Sequence, residues 1–593
     1  MKLRVFAMLL SLLVAQPALA QPALALPALA LPDQLLTESL AAVRDSEKAS
    51  IAKVSILSGR LLADFYAQHQ NQLVWSDPQR VIALSSLIEA SPGEGFVPED
   101  FHAELVRAMS KPGALDALPE PERVIADILL SDALLRYVHH TRFGKLDPRA
   151  VDPKWNDRSA IPAEQLLADM QGALEAADMT AFMASRFAVP FWYDQLRRSL
   201  HWDDQLATLP PLEPLPPGKV LTRGDRDPRV PALRERLLRM GEVPAATAPP
   251  AEPELFDDAL RAAVLAFQRG AGLRADGVVG PGTLAAMQTP ADQGKKEQIR
   301  INLERMRWFY NDLPADYIFV DVANYLLQVV RDGKILWTTR VVVGAKDAQT
   351  PMFRDSMDHL VFNPTWTVPV SIQKTMGRLS ARYSLVDRQN GRKVSGGNAG
   401  DYKRYRIVQE PGPTNALGRV KFMFPNRHSV YLHDTPSKAL FGRSARALSH
   451  GCVRVQNPVH LAEIILGEQR GWDPERIKQT IDASRTRYVT LDQELPVLLY
   501  YLTARADEHG RVSFRPDIYE RDQRLREAFA KPVLSARIAF PELPAPPAES
   551  QPGPALPPSD EEQPADVSPQ EPPSIAPPSQ NGVRLSAADP SVG

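Results

Sequence analysis

The sequence predicts a multidomain α+β chain in which helical and β-rich segments follow one another instead of alternating. Three observations carry this. Apolar residues recur at three and four from about 33 to 202, the spacing of amphipathic helices. From residue 317 the period changes to two, the spacing of strands. Residues 541–593 hold 15 prolines and no aromatic residue, a composition that cannot bury a core. The length of 593 residues fits several domains at roughly 100–200 residues each.

Each segment has its own reason. Residues 1–20 read as a signal peptide: Lys2 and Arg4 precede an apolar run at 5–15, and Ala18-Leu19-Ala20 has the small-x-small cleavage pattern. That run is too short for a bilayer core, which needs about 20 residues. The expectation is therefore an exported chain with no transmembrane segment after processing. Residues 21–32 repeat Pro-Ala-Leu-Ala as a low-complexity linker. Residues 33–208 read as a helical domain, most clearly at 126–137. Adjacent His139 and His140 would point about 100° apart on a helix, so they read as structural or surface residues and not as metal ligands. The proline-rich stretch 209–220 reads as a stiff spacer.

A small unit follows at 221–290, with helices at 230–240 and 256–269 and a tight turn at 273–283 leading into a last helix. Residues 300–492 read as a mainly β, sandwich-like domain. Strands are expected at 317–322, 325–330, 334–343, 359–362, 420–424 and 429–433, with Asp332-Gly333 as a hairpin signal. The basic, glycine-bearing stretch 373–418 interrupts this domain and has the size of a lid or binding insert. A mixed, partly helical extension at 493–540 precedes the disordered tail 541–593.

Charge excludes little but points somewhere. The net formal charge is −2; the tail carries eight acids and one arginine, so the remaining chain is mildly basic at +5. Nothing in this balance calls for nucleic acid, whereas a basic body suits a polyanionic surface. Neither an HExxH motif nor clustered Cys/His ligands appear, so no metalloenzyme is expected.

The single cysteine, Cys452, carries more information. Exported proteins ordinarily use cysteines in pairs, so a lone one is either a buried small hydrophobe or a reactive thiol. It lies in Ser449-His450-Gly451-Cys452-Val453-Arg454-Val455-Gln456-Asn457, and Tyr431-Leu432-His433-Asp434 precedes it at an expected strand end. A free thiol is only slightly ionised at neutral pH; a nearby imidazole would accept its proton and stabilise the thiolate. The loop from 434 to 448 is long enough to return Cys452 to His433, and Gly451 allows a sharp turn. His433 could equally be a strand-end histidine bound to a carbonyl.

Two resemblances extend this reading. Phe256-Asp257, Ala263, Phe267-Gln268, Gly272-Leu273, Asp276-Gly277, Gly280-Pro281 and Thr283 resemble the small three-helix peptidoglycan-binding domain. The same residues also read as a turn and a core. His433, a gap of 15, then Ser449-His450-Gly451-Cys452 with Arg454 and Asn457 resemble the L,D-transpeptidases (the YkuD-type catalytic domain). Asn302-Leu303-Glu304-Arg305-Met306-Arg307-Trp308, Val341 to Gly344, Phe362 to Pro369 and Pro411 to Gly418 resemble the long periplasmic members, which have a helical scaffold, a wall-binding unit and a capping insert.

The L,D-transpeptidase resemblance implies a transferase without cofactor. Cys452 attacks the carbonyl of the third stem-peptide residue, a diaminopimelate, and expels the terminal D-alanine. His433 activates the thiol and protonates the leaving amine. The amides of His450, Gly451 and Cys452 form an oxyanion hole, and amine attack on the thioester leaves a 3→3 cross-link. A backbone carbonyl after the histidine often orients it, which is the position of Asp434. Arg454 and Ser449 are the candidate substrate-binding residues, Arg454 for a carboxylate; Ser449 is also expected to hydrogen-bond within the loop. The His450 ring is expected to brace that loop, and Asn457 to cap a helix starting near Pro458.

The implied partners are peptidoglycan stem peptides, glycan strands and other wall-synthesis proteins, in the periplasm, with a role in cell-wall biogenesis and cell shape. Alternatives are an L,D-carboxypeptidase or endopeptidase with water as acceptor, transfer to a protein lysine or free D-amino acid, a non-catalytic scaffold, and a cysteine peptidase using His509.

Overall fold

Four apolar cores organise the described residues. The computed structural model describes residues 32–539 apart from 47, 153, 156–159, 187–188, 201–212, 240–250, 271–272, 289–292, 375, 396–399, 401, 507–511 and 531–537. The signal-peptide reading, the 21–31 linker, His509 and the tail 541–593 lie outside the described residues. Those described belong to one compact unit.

The first core is helical and centres on helix α1 (Glu120–Phe143). The amphipathic pattern expected at 126–137 proves to be that of a helix enclosed on nearly all sides, because its polar positions are paired inside the core. Tyr66 donates to Asp127 Oδ1 at 2.7 Å, and the amides of Val74 and Trp75 donate to the same carboxylate. Asp132 holds Arg136 and His102. His139 and His140 are buried too, with their Nδ1 atoms 3.0 Å apart and Phe101 against His140. Their role is structural, and neither lies at the surface.

The second core is small and holds Leu221, Val230, Leu233, Phe256, Val264 and Phe267. Leu215 joins it and the Glu213 carbonyl accepts from Arg236 at 2.6 Å, so the second half of the proline-rich spacer is docked. Gln268 ties the closing turn together: it accepts from the Gly277 amide and donates to Asp276, Val278 and Thr283. Gly277 has φ +74°, a conformation that favours glycine.

The third core lies inside one continuous sheet. Its strands are β1 (Tyr317–Asp321), β2 (Leu326–Arg331), β3 (Lys334–Gly344), β4 (Phe353–Phe362), β9 (Val420–Met423), β10 (Leu432–His433), β11 (Ala447–Ser449), β12 (Val453–Val455) and β13 (Arg487–Tyr500). The spatial order is β11-β3-β12-β10-β9-β4-β13-β1-β2, and β2 also pairs with β3, so the sheet closes on itself. The hairpin at Asp332-Gly333 has both residues at positive φ, the two-residue turn that matches strand twist. The fourth core belongs to the insert. There β5 (Trp366–Thr367), β6 (Ser384–Asp387), β7 (Lys393–Ser395) and β8 (Tyr405–Gln409) form a separate sheet over Val368, Leu379, Leu385 and Ile407. The insert's sheet thus begins before residue 373.

Two expected boundaries move. The β domain does not end at 492, because β13 crosses that position and pairs with β1 through Val497–Tyr500. The polar stretch Asp492-Gln493-Glu494 lies where the pairing of β13 with β4 shifts register between Thr490 and Leu495. Likewise Leu146, Trp155, Tyr193, Leu196 and Leu200, from the helical segment, pack into the third core beside helix α3 (Gln293–Arg307) and helix α2 (Phe191–Arg198). Burying each such large apolar side chain contributes about 1.5–3 kcal/mol, so this seam is firm.

Candidate active site

Alternation along three short strands builds the site. On β9, β10 and β12 the residues Phe422, Leu432 and Val453 are wholly buried in the barrel core. Their neighbours therefore face the other way. Lys421 pairs with His433 across β9 and β10, and His433 pairs with Arg454 across the parallel β10 and β12. The result is a row, Lys421–His433–Arg454, on one face of the sheet. The same register sets Tyr431 beside Cys452, since Val453 N donates to the Tyr431 carbonyl at 3.1 Å. The loop thus returns Cys452 one step short of His433, next to Tyr431.

The imidazole has a fixed tautomer. His433 Nδ1 lies 2.5 Å from the Asp434 carbonyl oxygen. A carbonyl only accepts, so Nδ1 carries the proton and Nε2 keeps its lone pair. The Asp434 carboxylate is turned elsewhere: it accepts from Arg419 N at 2.8 Å and Thr435 N at 2.6 Å, and pairs with Lys438. Gly418, at φ +61°, passes so close that a Cβ there would lie 2.3 Å from this carboxylate.

The turn around the cysteine is braced from both sides. Ser449 Oγ donates to the Cys452 carbonyl at 2.5 Å and accepts from Gly451 N at 3.2 Å. Thr350 Oγ1 donates to the Gly451 carbonyl at 2.8 Å. Gly451 itself has φ +111°, a region that carries strain for any residue with a Cβ. Ser449 is buried and its hydroxyl is engaged within the loop, so it acts on the turn and does not face substrate. The Gly451 amide is likewise engaged, which removes it from the expected oxyanion donors. The amides of His450 and Cys452 have no acceptor among the described residues.

Other expected roles shift. The His450 ring is exposed and has no hydrogen-bond partner among the described residues, so it does not brace the loop. Asn457 stands at the N-cap of helix α4 (Pro458–Leu466), as its position suggested, but its side chain makes no capping bond. It lines a cleft of about 590 Å³ with Asp434, Lys438 and His460. No group of three or more His, Cys, Asp or Glu among the described residues is arranged to hold a metal.

Electrostatics favour a neutral pair. The partly exposed Cys452 thiol donates to the Ser429 carbonyl at 3.7 Å. Burial pushes its pKa up from the ordinary value, opposed by Tyr431, Lys421 and Arg454. His433 is driven down to about 3, first by burial and then by the Arg454 and Lys421 charges, with the Asp434 carbonyl opposing. The resting state is thus thiol and neutral imidazole, not the expected thiolate stabilised by imidazole. Burial also lowers Lys421 and Arg454.

Two residues at this site escaped the sequence reading. Tyr431 packs edge-on to the His433 ring, and Lys421 Nζ lies 3.8 Å over the Tyr431 ring. The available signal was Lys421 itself, a lone charge in the otherwise apolar Val420-Lys421-Phe422-Met423-Phe424.

Comparison with known proteins agrees with this geometry. Residues 315–480 match the L,D-transpeptidase catalytic domain (YkuD), residues 60–200 a scaffold domain, and residues 226–287 a "Putative peptidoglycan binding domain". A Haemophilus influenzae protein described as a "Putative L,D-transpeptidase" is 32% identical over 257 residues, 40% of this chain and 51% of that protein. The chain therefore spans about half the length of that relative. Among solved structures, an L,D-transpeptidase from Xylanimonas cellulosilytica is 20% identical (48% of this chain, 99% of that one, TM-score 0.16). One from Mycobacterium smegmatis is 14% identical (31% and 58%, TM-score 0.16). Among the described residues no helix is long and apolar enough to cross a membrane. Residues 315–480 are thus similar to the L,D-transpeptidase catalytic domain, set beside a scaffold-like and a peptidoglycan-binding-like segment.

Proposed function

We propose that the chain is an exported peptidoglycan L,D-transpeptidase that works in the periplasm through a Cys452 thioester. The observation that carries this is the pairing of β10 with β12, which sets a tautomer-fixed His433 and the Cys452 thiol on one face of adjacent strands. When a tetrapeptide stem binds, the thiol leaves the Ser429 carbonyl and gives its proton to His433 Nε2. Sulfur attacks the carbonyl carbon of the third residue, and the amides of His450 and Cys452 receive the oxyanion. The C–N bond breaks as Nε2 returns the proton to the departing D-alanine amine. A side-chain amine of a second stem then attacks the thioester, giving its proton to Nε2. The C–S bond breaks, the thiol is re-formed, and a 3→3 cross-link remains. The domain at 226–287 would hold the enzyme on glycan, serving cell-wall biogenesis and cell shape.

The test is mass spectrometry of disaccharide-tetrapeptide incubated with the mature protein and with Cys452→Ala. A tetra-tri dimer joined 3→3, absent with the variant, is expected. Tripeptide alone would make water the acceptor and the enzyme an L,D-carboxypeptidase. Unchanged tetrapeptide with no acyl-enzyme would overturn the mechanism.

A further inference from the structure

Two cations at this site have no anion among the described residues. Lys421 and Arg454 are both partly buried, and no carboxylate among the described residues pairs with either. Arginines buried elsewhere can have an acid, as Arg305 has Asp522 and Arg136 has Asp132. The Arg454 Nε is buried with no hydrogen-bond partner. The group that acts electrostatically on both is the Cys452 sulfur. Lys421 is further steered by its position over the Tyr431 ring, a favourable cation–π arrangement that holds the ammonium near the thiol's row.

Burying two like charges without a counterion is costly. A resting thiol does not supply the missing charge, and neither does a thioester. The charge must come with the ligand. We propose that Lys421 and Arg454 form a subsite for a carboxylate of the donor peptide, with Lys421 as a specificity-determining residue of the reaction. This rests on the transpeptidase reading above and adds to it the recognition of donor charge. Two donor carboxylates have the right chemistry: the terminal carboxylate of the leaving residue and the side-chain carboxylate of the third residue. Either, once bound, also relieves His433. The imidazole stands between the two cations in the row, and their field is part of what keeps it from taking a proton. A bound carboxylate cancels that field, so His433 becomes a better base only when the correct donor is present.

The experiment compares three tetrapeptide donors on the full-length protein: the free acid, the C-terminal carboxamide, and the form amidated on the third residue's side-chain carboxylate. The wild type is expected to disfavour one of the amides by about 10- to 100-fold in kcat/KM, the range of a charge-assisted hydrogen bond; which amide suffers identifies the carboxylate. In Lys421→Met the acid-to-amide ratio should fall towards one, and Lys421→Arg should restore it. The apparent pKa on the acid limb of acylation should be higher with the acid donor than with the disfavoured amide. Equal turnover of all three donors by the wild type would overturn the subsite while leaving the transpeptidase intact. Unaltered discrimination in Lys421→Met would remove Lys421 from it. Loss of all Cys452-dependent product in the wild type would instead sink the underlying reading, and this one with it.

Discussion

His433 shows how strongly a single side chain can be set by its neighbours. It is buried, flanked by two cations and tied to a carbonyl, and it titrates near 3 where an ordinary histidine titrates at 6.5. The sign of the linkage follows. Between those values the unfolded chain binds the proton and the folded one does not. The stabilising contribution is therefore complete above about 6.5 and disappears as pH falls towards 3. By pH 5 the loss through this group alone is about 2 kcal/mol. Chemical denaturation at pH 7 and pH 5 should show that loss in the wild type and a smaller pH dependence in His433→Asn. Identical pH dependence in both proteins would mean that His433 is not held neutral.

At the scale of an element, the loop after His433 separates two ways of orienting an imidazole. The Asp434 carbonyl takes the Nδ1 proton, while the Asp434 carboxylate serves the Arg419 and Thr435 amides and Lys438. Asp434→Asn should therefore cost stability, about 1–3 kcal/mol for mismatched amide donors, but lower kcat less than about tenfold. A side-chain carboxylate acting as the orienting group would instead produce a loss of about 10⁴. A stopped assay that found the larger loss, with the variant still folded by circular dichroism, would return the role to the side chain.

The legibility of the site divides along the same line. The motif residues Cys452, His433 and Gly451 were readable because thiol, base and turn chemistry need those residue types at a short spacing. The carbonyl of Asp434 was anticipated only through the family resemblance. Lys421 was legible only as a lone charge in an apolar strand; that it neighbours His433 is decided by the β9–β10 register, which no local pattern carries. The loop bond expected of Ser449 is present, while the bracing expected of His450 is not, because burial, which puts the serine inside the turn and leaves the imidazole outside, is a tertiary property. The expected strands at 317–322, 325–330, 334–343 and 420–424 match β1, β2, β3 and β9, whereas 359–362 is only the end of β4, 429–433 overruns β10, and β13 was not expected as a strand.

For the molecule as a whole, the catalytic barrel depends on chain that lies beyond the matched domain. Past residue 480, β13 joins β4 to β1 and so closes the barrel. Further on, Tyr519 donates to the Gly344 carbonyl at 2.5 Å and accepts from Thr350 N, and Arg521 donates to the Thr350 carbonyl at 3.0 Å. Thr350 is the residue that holds the Gly451 carbonyl, so the cysteine turn is braced at one remove by residues 519–521. On the other side Glu304, fully buried, accepts from the amides of Lys145 and Leu146 and from Trp308 Nε1, tying the helical segment to helix α3. A chain ending at 492 would expose half of β13's ladder and leave the faces of Tyr317, Phe319 and Phe353 uncovered. It should be recovered unfolded or aggregated, whereas a chain ending at 540 should melt in one cooperative transition like the full-length protein. Deletion of 501–540 alone tests the second support. That chain keeps β13 but loses Tyr519 and Arg521, and is expected to lose Cys452-dependent acylation before it loses its β-sheet signal. Wild-type acylation by a soluble chain ending at 492 would show that the barrel and its cysteine turn are held from within the matched domain.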